Sequence, residues 1–356
     1  MNSHDHIHPH THPHTHPHTQ AHGASRRDFL RLTAMGLAGA LLTGCAQVPG
    51  SATVEDEAAL LPVTVDPTAT VEPTVTVEST VSSVLPGFDA FRDQINLIVE
   101  GDALRVESSG LPAHGMMTGI VSWQQQVPTP QNYSGTNAWT IPLKPALSDS
   151  PISAKTALYR GAIALAVNGI PIFNALNNRG DDAYLAGELD EWGGHCGRAD
   201  DYHYHMAPLH LQEIAGAGNP IAYALDGFPI YGTSEADGSP AIGLDEFNGH
   251  IHEAGSYHYH ASETYPYING GMRGVVQVVN DQIEPQPRLT PFRPAGEPLR
   301  GAVITGFEAT GDSTYSLEYT LNGQKYYVNY GFTDTTYTFE FVDADGSRST
   351  ESYPRS

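Results

Sequence analysis

The sequence predicts a mainly β protein with long loops, a few short helices and an internally duplicated, strand-rich core. Three observations lead to this prediction. The 356 residues include 36 Gly, 26 Pro and 18 Tyr, a composition that favours turns and strands over long helices. The Tyr-His-Tyr-His blocks and the Tyr-rich C-terminal runs have the two-residue period of strands. Two segments repeat each other in order, which predicts a pseudo-twofold relation between the copies.

Charge and cysteine content narrow the classes of function. The formal net charge is −23, and such acidity opposes binding to a phosphate backbone, so no nucleic-acid partner is expected. An acidic surface does, however, raise the local concentration of cations. The only cysteines are Cys45 and Cys196, which are too few for a disulfide framework.

Residues 1–45 are predicted to be a twin-arginine lipoprotein signal with a histidine-rich extension. The pair Arg26 and Arg27 resembles a twin-arginine export motif, and the apolar run that follows is too short to span a bilayer. The segment Leu42–Cys45 resembles a lipobox, which predicts lipidation of Cys45. We therefore expect export across the cytoplasmic membrane and a lipid anchor in the membrane, on the periplasmic or cell-surface face. The nine histidines of the extension either capture metal transiently or have no selected role.

The rest of the chain divides into three predicted segments. Residues 46–90 are rich in Thr, Pro and Glu and are predicted to be a disordered linker. Residues 91–298 contain the duplication, with repeats at about 162–206 and 221–261, and are assigned to one domain. Residues 299–356 are predicted to form a C-terminal β meander, because Asn322-Gly323 between alternating Tyr-rich runs is a strong hairpin signal.

The duplication aligns without gaps over its most distinctive part. Residues 194–205 match residues 249–260 at an offset of 55, and both segments end in Tyr-His-Tyr-His. Upstream, residues 168–173 match residues 226–231 at an offset of 58, around a Gly-x-Pro-Ile-aromatic turn. Each copy therefore predicts a buried strand, a turn, a Gly-His pair and a histidine-bearing strand. A short helix is predicted between the copies, at 209–215.

Six histidines fall at matching positions of the two copies and are predicted metal ligands. Strand alternation places His203 and His205 on one face, with Cα atoms about 6–7 Å apart, and the tyrosines on the other face toward the core. A loop returns His195 as a third donor. The second copy supplies His250, His258 and His260. Three imidazoles with an open position suit a transition metal, with copper or zinc expected, and the six together could hold one or two ions.

Several roles stay open at this point. The histidines are either metal ligands or a hydrogen-bonded, pH-sensing cluster. Asp190 and Asp245 stand five residues before the first histidine of each copy, where they either accept an N–H from a ligating imidazole or cap their loops. Cys196 is either a soft ligand or, because its counterpart is apolar, a buried structural thiol. His252 occurs in one copy only and is a further, lower-ranked ligand candidate.

These motifs resemble the YHYH domain family. The resemblance lies in both Tyr-His-Tyr-His blocks, in Asp226–Gly232 and in a Gly-x-Pro-x-His segment at 110–114, and it covers roughly residues 103–280. The family is largely uncharacterised, so the resemblance implies a type of domain rather than an activity. It adds His114 as a candidate site residue. Members often carry further cysteines near the histidines, whereas this chain has only Cys196 there.

Three functions are consistent with these features. The leading hypothesis is an exported, lipid-anchored protein that binds a transition metal for storage, sensing or delivery. The second is a metal-dependent oxidoreductase or hydrolase, which needs an open coordination position and a general base, for which Glu191 and Glu246 are candidates. The third is a binding or adhesion module displayed on a stalk, with structural histidines. The sequence assigns no catalytic residue.

Overall fold

A computed structural model describes residues 85–252 and 255–355, and the structural statements below concern those residues. The predicted signal, with Arg26, Arg27 and Cys45, lies outside them, as does the predicted linker up to residue 84. Within the described ranges, none of the helices has both the length and the apolar character needed to span a bilayer.

A small sheet comes first in the described chain. The elements are a 3-10 turn at Phe88–Phe91, β1 (Ile95–Glu100), β2 (Ala103–Ser108), a second 3-10 turn at Gly135–Asn137, β3 (Trp139–Pro142) and β4 (Leu147–Ser153). Strands β1, β2 and β3 form an antiparallel sheet, and β4 lies outside it. In β1, Ile95 and Leu97 are buried while Asn96 between them is exposed. Alternate side chains of a strand point to opposite faces, so one face of β1 packs on the core.

An eight-stranded sheet carries the histidine-rich segments. The first copy supplies β5 (Ala162–Ala166), β6 (Pro171–Phe173), β7 (Gly194–Cys196) and β8 (Tyr202–Tyr204). After helix α1 (Leu211–Ala215), the second copy supplies β9 (Ala222–Ala224), β10 (Pro229–Tyr231), β11 (Gly249–Ile251) and β12 (Tyr257–His260). The order β11-β12-β10-β9-β5-β6-β8-β7 stays the same when the sheet is read from the other edge and the two copies are exchanged.

The two halves of this sheet also share their pairing registers. The facing pairs are His195–His203 and Ile172–Tyr204 in the first half, and His250–His258 and Ile230–Tyr259 in the second half. Strands β5 and β9 join the halves in the middle, and every residue of both is buried. The histidine-bearing strands therefore lie at opposite edges of the sheet, which separates the six histidines into two groups.

The remaining strands follow the second copy. They are β13 (Gly271–Gly274), β14 (Gln277–Val279), β15 (Gln282–Glu284), β16 (Val303–Gly311), β17 (Thr314–Leu321), β18 (Gln324–Phe332), β19 (Thr336–Val342) and β20 (Arg348–Pro354). Strand β13 pairs with β4, β14 and β15 form a hairpin, and β16 to β20 form an antiparallel meander. The mainly β class predicted from the sequence is confirmed, with α1 as the single α-helix of the described residues.

The hairpin turn predicted at Asn322-Gly323 and the short helix predicted at 209–215 are both found in the structure. Leu321 pairs with Gln324, and the two residues between them, Asn322 and Gly323, have φ of 53° and 75°, as a two-residue hairpin turn requires. The short helix expected at 209–215 begins two residues later, at Leu211. Both elements were predictable because the signals are local.

The C-terminal meander shares its apolar core with the histidine-rich part. The ring of Trp123 packs edge-on against Tyr319, with centroids 5.1 Å apart. The Tyr330 hydroxyl donates to the backbone carbonyl of Pro128 at 2.5 Å. Because these contacts are buried, the meander is anchored to the loops that precede the main sheet.

Candidate metal centres

Strand alternation places the tyrosines of the Tyr-His-Tyr-His blocks in the core. Tyr202, Tyr204 and Tyr259 are 0 % exposed. The Tyr202 hydroxyl donates to a carboxylate oxygen of Asp190 at 2.8 Å, and the Tyr259 hydroxyl donates to Asp226 at 2.5 Å. The tyrosines therefore have the packing and hydrogen-bonding role that the sequence favoured, which leaves the opposite face of each strand to the histidines.

The glycine before the first histidine of each copy is required by this tyrosine packing. A Cβ on Gly194 would lie 2.5 Å from the hydroxyl oxygen of Tyr202. A Cβ on Gly249 would collide with the hydroxyl of Tyr257 in the same way. The conspicuous Gly-His pair thus combines a packing glycine with a histidine on the adjacent position of the strand.

The first group of histidines, called here the N-terminal cluster, consists of His195, His203 and His205. The Nε2 atom of His205 lies 3.1 Å from the Nε2 atom of His195 and 3.1 Å from the Nε2 atom of His203. All three donor atoms lie within 4.8 Å of one another, so the cluster could hold a metal ion. His203 and His205 are buried, and His195 is half-buried.

The other nitrogen of these rings faces the backbone. The Nδ1 atom of His203 lies 3.0 Å from the carbonyl oxygen of Asp201, and the Nδ1 atom of His205 lies 2.6 Å from that of Asn174. A carbonyl oxygen can only accept a hydrogen bond, so each Nδ1 carries the hydrogen and each Nε2 presents a lone pair. Burial lowers the pKa of His205 to about 3. Burial, reinforced by the neighbouring histidines, also lowers the pKa of His195 well below its usual value.

The second group, called here the C-terminal cluster, consists of Glu235, His250, His258 and His260. The Nε2 atoms of His250 and His258 lie 3.2 Å apart. The two carboxylate oxygens of Glu235 lie 2.8 Å from the Nε2 of His250 and 3.2 Å from that of His258. His260 approaches the same carboxylate at 3.4 Å. Four donor atoms within 4.8 Å could hold a second metal ion.

The C-terminal cluster repeats the backbone contacts of the N-terminal one. The Nδ1 atoms of its three histidines lie 3.0 to 3.2 Å from the carbonyl oxygens of Ile242, Ser256 and Gly232. Two buried atoms, the Oε1 of Glu235 and the Nε2 of His260, meet no hydrogen-bond geometry among the described residues, although they lie 3.4 Å apart and the Oε1 is 2.8 Å from the Nε2 of His250. Acceptor atoms that converge in this way are satisfied by a bound cation or by a proton on one of the imidazoles.

The donor set of each cluster fits a transition metal. Zinc–nitrogen bonds of about 2.0–2.1 Å in tetrahedral geometry place neighbouring donors about 3.3 Å apart. The separations of 3.1 and 3.2 Å between Nε2 atoms are close to that value. Imidazole is also a preferred ligand of copper. The N-terminal cluster offers three donors, whereas the C-terminal cluster offers four.

Asp190 and Asp245 bind their own loops and the tyrosines. Asp190 accepts from the backbone N–H groups of Met117, Trp192 and Gly194. Asp245 accepts hydrogen bonds from two turn N–H groups and from the hydroxyl of Tyr257. None of the hydrogen bonds found for either carboxylate involves an imidazole of the two clusters. Of the two roles left open by the sequence, these contacts correspond to loop capping.

His114 lies on the tyrosine side of the main sheet, away from both clusters. Its Nε2 atom lies 2.6 Å from the hydroxyl oxygen of Tyr204, and its ring packs against Trp192 with centroids 4.8 Å apart. The ring of His210 packs edge-on against the ring of His114, with centroids 4.7 Å apart. The position of His114 is therefore explained by its contact with the buried Tyr204, and His114 contributes no donor to either cluster.

The two remaining candidates lie beside the clusters without joining them. Cys196 is a buried free thiol on the strand position after His195, and it contributes no donor to either cluster. Burial, with the nearby carboxylates of Asp200 and Asp201, raises the pKa of the Cys196 thiol well above its usual value, which opposes thiolate ligation. His252 is exposed, and its ring stacks on His250 with centroids 5.8 Å apart.

Glu235 is the cluster residue that the sequence reasoning missed. It lies in the loop after β10, 23 residues before His258, where no local period marks it. The available signal was the offset of 58, which aligns Glu235 with Asn177 of the first copy. The glutamates considered as general bases, Glu191 and Glu246, are both exposed and contribute no donor to either cluster.

Comparison with known proteins relates one segment of the chain to a family. The family model described as YHYH protein matches residues 138–241, which confirms the predicted resemblance over that segment. The match includes the N-terminal cluster and Glu235 and ends before the histidines of the second copy. Neither the curated proteins nor the solved structures contain a significant match to the chain.

Proposed function

We propose that this protein, which matches the YHYH family over residues 138–241, binds two transition-metal ions, one in each histidine cluster. The observation that carries the proposal is the arrangement of the N-terminal cluster. The Nε2 of His205 lies 3.1 Å from the Nε2 of His195 and from that of His203, while the ring hydrogens of His203 and His205 are directed to backbone carbonyls. Lone pairs cannot hydrogen-bond to each other, so a cation between them accounts for the convergence.

The competing explanation is a purely structural histidine cluster. Such a cluster would satisfy its buried nitrogens with donors and acceptors from the protein. In the C-terminal cluster, a structural role would need a protonated imidazole paired with the Glu235 carboxylate, whose oxygens lie 2.8 Å from His250 and 3.2 Å from His258. The N-terminal cluster has no carboxylate among its donors to pair with such a proton. This difference favours metal binding over the stalk-displayed module with structural histidines.

Copper and zinc are the metals we propose. All six histidine donors are imidazole nitrogens, which suit both metals, and the Glu235 oxygen in the C-terminal cluster is a known type of zinc ligand. Cys196 contributes no donor to either cluster, so it adds no soft ligand that would select copper(I).

The cellular setting is proposed from the sequence. Arg26, Arg27 and the lipobox-like Leu42–Cys45 support export through the twin-arginine route and attachment to the membrane by a lipid on Cys45. Proteins exported by this route cross the membrane folded, which suits a metal site that closes around its ion before export. A tethered metal-binding protein outside the cytoplasm would serve storage, sensing or delivery.

Elemental analysis of the mature protein, purified after export through its native route, tests the proposal. We expect two equivalents of copper or zinc per chain. The paired variants His203→Asn/His205→Asn and His258→Asn/His260→Asn should each lose one equivalent, and their combination should lose both. His114→Asn, at the half-buried histidine on the tyrosine side of the sheet, is the matched control and should retain two equivalents. Less than a stoichiometric fraction of any transition metal, before and after reconstitution, would refute the proposal.

A metal-dependent enzyme is the second candidate, favoured by one observation. A cleft of about 620 Å³ opens beside the N-terminal cluster and is lined by His195, His203 and His205. An ion with three protein ligands beside such a cleft has room for a water or a substrate. Turnover would further require a general base in the cleft, where Glu188 already accepts hydrogen bonds from Asn177 and Arg179.

A further inference from the structure

The two clusters are built on the same frame but differ in one donor. In both, the three Nε2 atoms converge and the ring hydrogens of the two strand histidines point to backbone carbonyls at corresponding positions. For His205 the carbonyl belongs to Asn174, and for His260 it belongs to Gly232, which is 58 residues later. The two clusters are therefore equivalent sites that differ in the number of donors, with three in the N-terminal cluster and four in the C-terminal cluster.

The fourth donor of the C-terminal cluster is Glu235. The equivalent position of the first copy is occupied by Asn177, which is not a donor of the N-terminal cluster. The loops around the two residues are folded alike, because the N–H of Asn177 donates to Asp181 at 2.8 Å and the N–H of Glu235 donates to Ser239 at 2.8 Å. Glu235 directs its carboxylate at the histidines. Asn177 instead donates its amide to Glu188, at 3.3 Å from both carboxylate oxygens.

The spaces beside the two clusters differ in the charged side chains that line them. The cleft beside the N-terminal cluster is lined by three arginines, Arg160, Arg179 and Arg198, and by two carboxylates, Glu188 and Asp201. A smaller cavity of about 260 Å³ beside the C-terminal cluster is lined by Glu235 and Asp237, and by no Arg or Lys among the described residues. Arginines exceed carboxylates by one in the first cleft, although the chain has a net charge of −23.

The three arginines of the cleft are exposed, and two of them make contacts with the protein. Arg179 pairs with the buried carboxylate of Glu188 and, at 3.2 Å, with Asp181. Arg198 donates to the backbone carbonyl of Arg293 at 2.9 Å. These contacts use only part of the five N–H donors of each guanidinium, so donors remain for a ligand in the cleft. The cleft is also lined by the side chains of Phe173, Tyr159 and Leu289.

We propose that the metal of the N-terminal cluster keeps one coordination position for an oxyanion, a carboxylate or phosphate group, that enters the arginine-lined cleft. Glu235 fills the equivalent position of the C-terminal cluster, which makes that site saturated and structural. The inference rests on the proposed function, because it requires an ion in the N-terminal cluster. An oxygen of the anion would bind the ion, and its remaining oxygens would accept hydrogen bonds from the arginines.

The test uses mature protein in which only one cluster is intact, loaded with cobalt(II) as a spectroscopic probe. His258→Asn/His260→Asn leaves the N-terminal cluster, and His203→Asn/His205→Asn leaves the C-terminal cluster. Visible spectra are recorded while inorganic phosphate, or separately sodium acetate, is added. We expect a saturable spectral change for the N-terminal cluster and none for the C-terminal cluster. Phosphate and acetate distinguish the two classes of oxyanion.

Exchange of the fourth donor makes the test sharper. Asn177→Glu combined with Glu188→Gln, which removes the adjacent like charge, should close the N-terminal site and abolish its response. Glu188→Gln alone is the matched control and should retain the response. Glu235→Asn should open the C-terminal site and create a response there. Arg198→Gln should weaken anion binding to the N-terminal site by about tenfold or more without reducing its cobalt content.

The outcomes separate this inference from the proposed function. If neither single-cluster protein holds cobalt while both remain folded by near-ultraviolet circular dichroism, the proposed function fails. If both hold one equivalent and the N-terminal site does not respond to either anion, the open-site inference fails and metal binding stands. Equal responses at both sites, or no effect of Glu235→Asn, would also overturn the inference.

Discussion

His195 and His203 lie directly opposite each other on neighbouring antiparallel strands, and their ring centroids are 4.8 Å apart. His250 and His258 repeat this relationship at the other edge of the sheet, also with centroids 4.8 Å apart. Opposed residues of an antiparallel pair have Cβ atoms only about 4.5–5.5 Å apart, which is why two imidazoles on one face can share an ion. The third histidine of each cluster follows two positions along the chain, at the end of β12 for His260 and directly after β8 for His205.

The packing of tyrosine over glycine predicts a strong effect of Gly249→Ala. The added methyl group would collide with the Tyr257 hydroxyl and displace β11, which carries His250. We expect a loss of about 1–3 kcal/mol in the free energy of unfolding and weaker metal binding at the C-terminal cluster. Chemical denaturation and metal titration measure both. Gly306→Ala, where the nearest atom lies 3.7 Å away, is the control and should change little. Unchanged stability of Gly249→Ala would contradict the packing argument.

The buried tyrosines are predicted to stabilise the fold without touching the metal. Tyr259→Phe removes a hydroxyl that donates to Asp226 and accepts from the N–H of Arg273 at 2.7 Å; Asp226 keeps the N–H of Gly274, but the N–H of Arg273 loses its acceptor. We expect a loss of about 1–3 kcal/mol in stability with an unchanged metal content. Tyr184→Phe, at a side chain that is 54 % exposed, is the matched control and should be neutral. Loss of metal from the folded Tyr259→Phe protein would assign the tyrosine a ligand role instead.

Cys196 is predicted to be an inert thiol. Burial raises its pKa well above the usual value, so little thiolate forms near neutral pH, and the thiol is 3 % exposed. Iodoacetamide should therefore modify the native protein far more slowly than the denatured protein, as followed by mass spectrometry. Cys196→Ala should retain both metal equivalents and lose about 1 kcal/mol of stability through the cavity it leaves. A missing equivalent in this variant would restore the thiolate-ligand alternative.

Export and anchoring are predicted from Arg26, Arg27 and Cys45. Replacing both arginines by lysine should leave the precursor in the cytoplasm, because twin-arginine recognition depends on the arginine pair. Cys45→Ala should be exported but not lipidated and should leave the membrane fraction. Cell fractionation and incorporation of labelled palmitate measure these outcomes. A Cys45→Ala protein that stays in the membrane fraction to the same extent would rule out the proposed anchor.

Much of the site could be predicted because its chemistry follows local periodicity. The two-residue period of Tyr202–Tyr204 decided which side chains face the core, and the gapless offset of 55 paired His195 with His250. The Asn322-Gly323 hairpin followed from the positive φ that its turn requires. Each of these inferences needs only a few neighbouring residues, since strand geometry is regular.

Other features depended on contacts far apart in the chain. The sequence left open whether six histidines share one centre, and the strand order separated them by placing β8 and β12 toward opposite edges. His114 matched a family segment, yet the fold brings it to Tyr204 on the tyrosine side. Neither result follows from spacing, because both depend on which strands pair.

The sequence alone determined that two copied strands each present histidines on one face and tyrosines on the other. Only the tertiary structure decided that Glu235 completes one cluster while Asn177 leaves the other with three donors. A side chain from a loop reaches a site only where the loop is folded back onto it, and that fold is fixed by long-range packing and backbone hydrogen bonds rather than by the period of the loop itself.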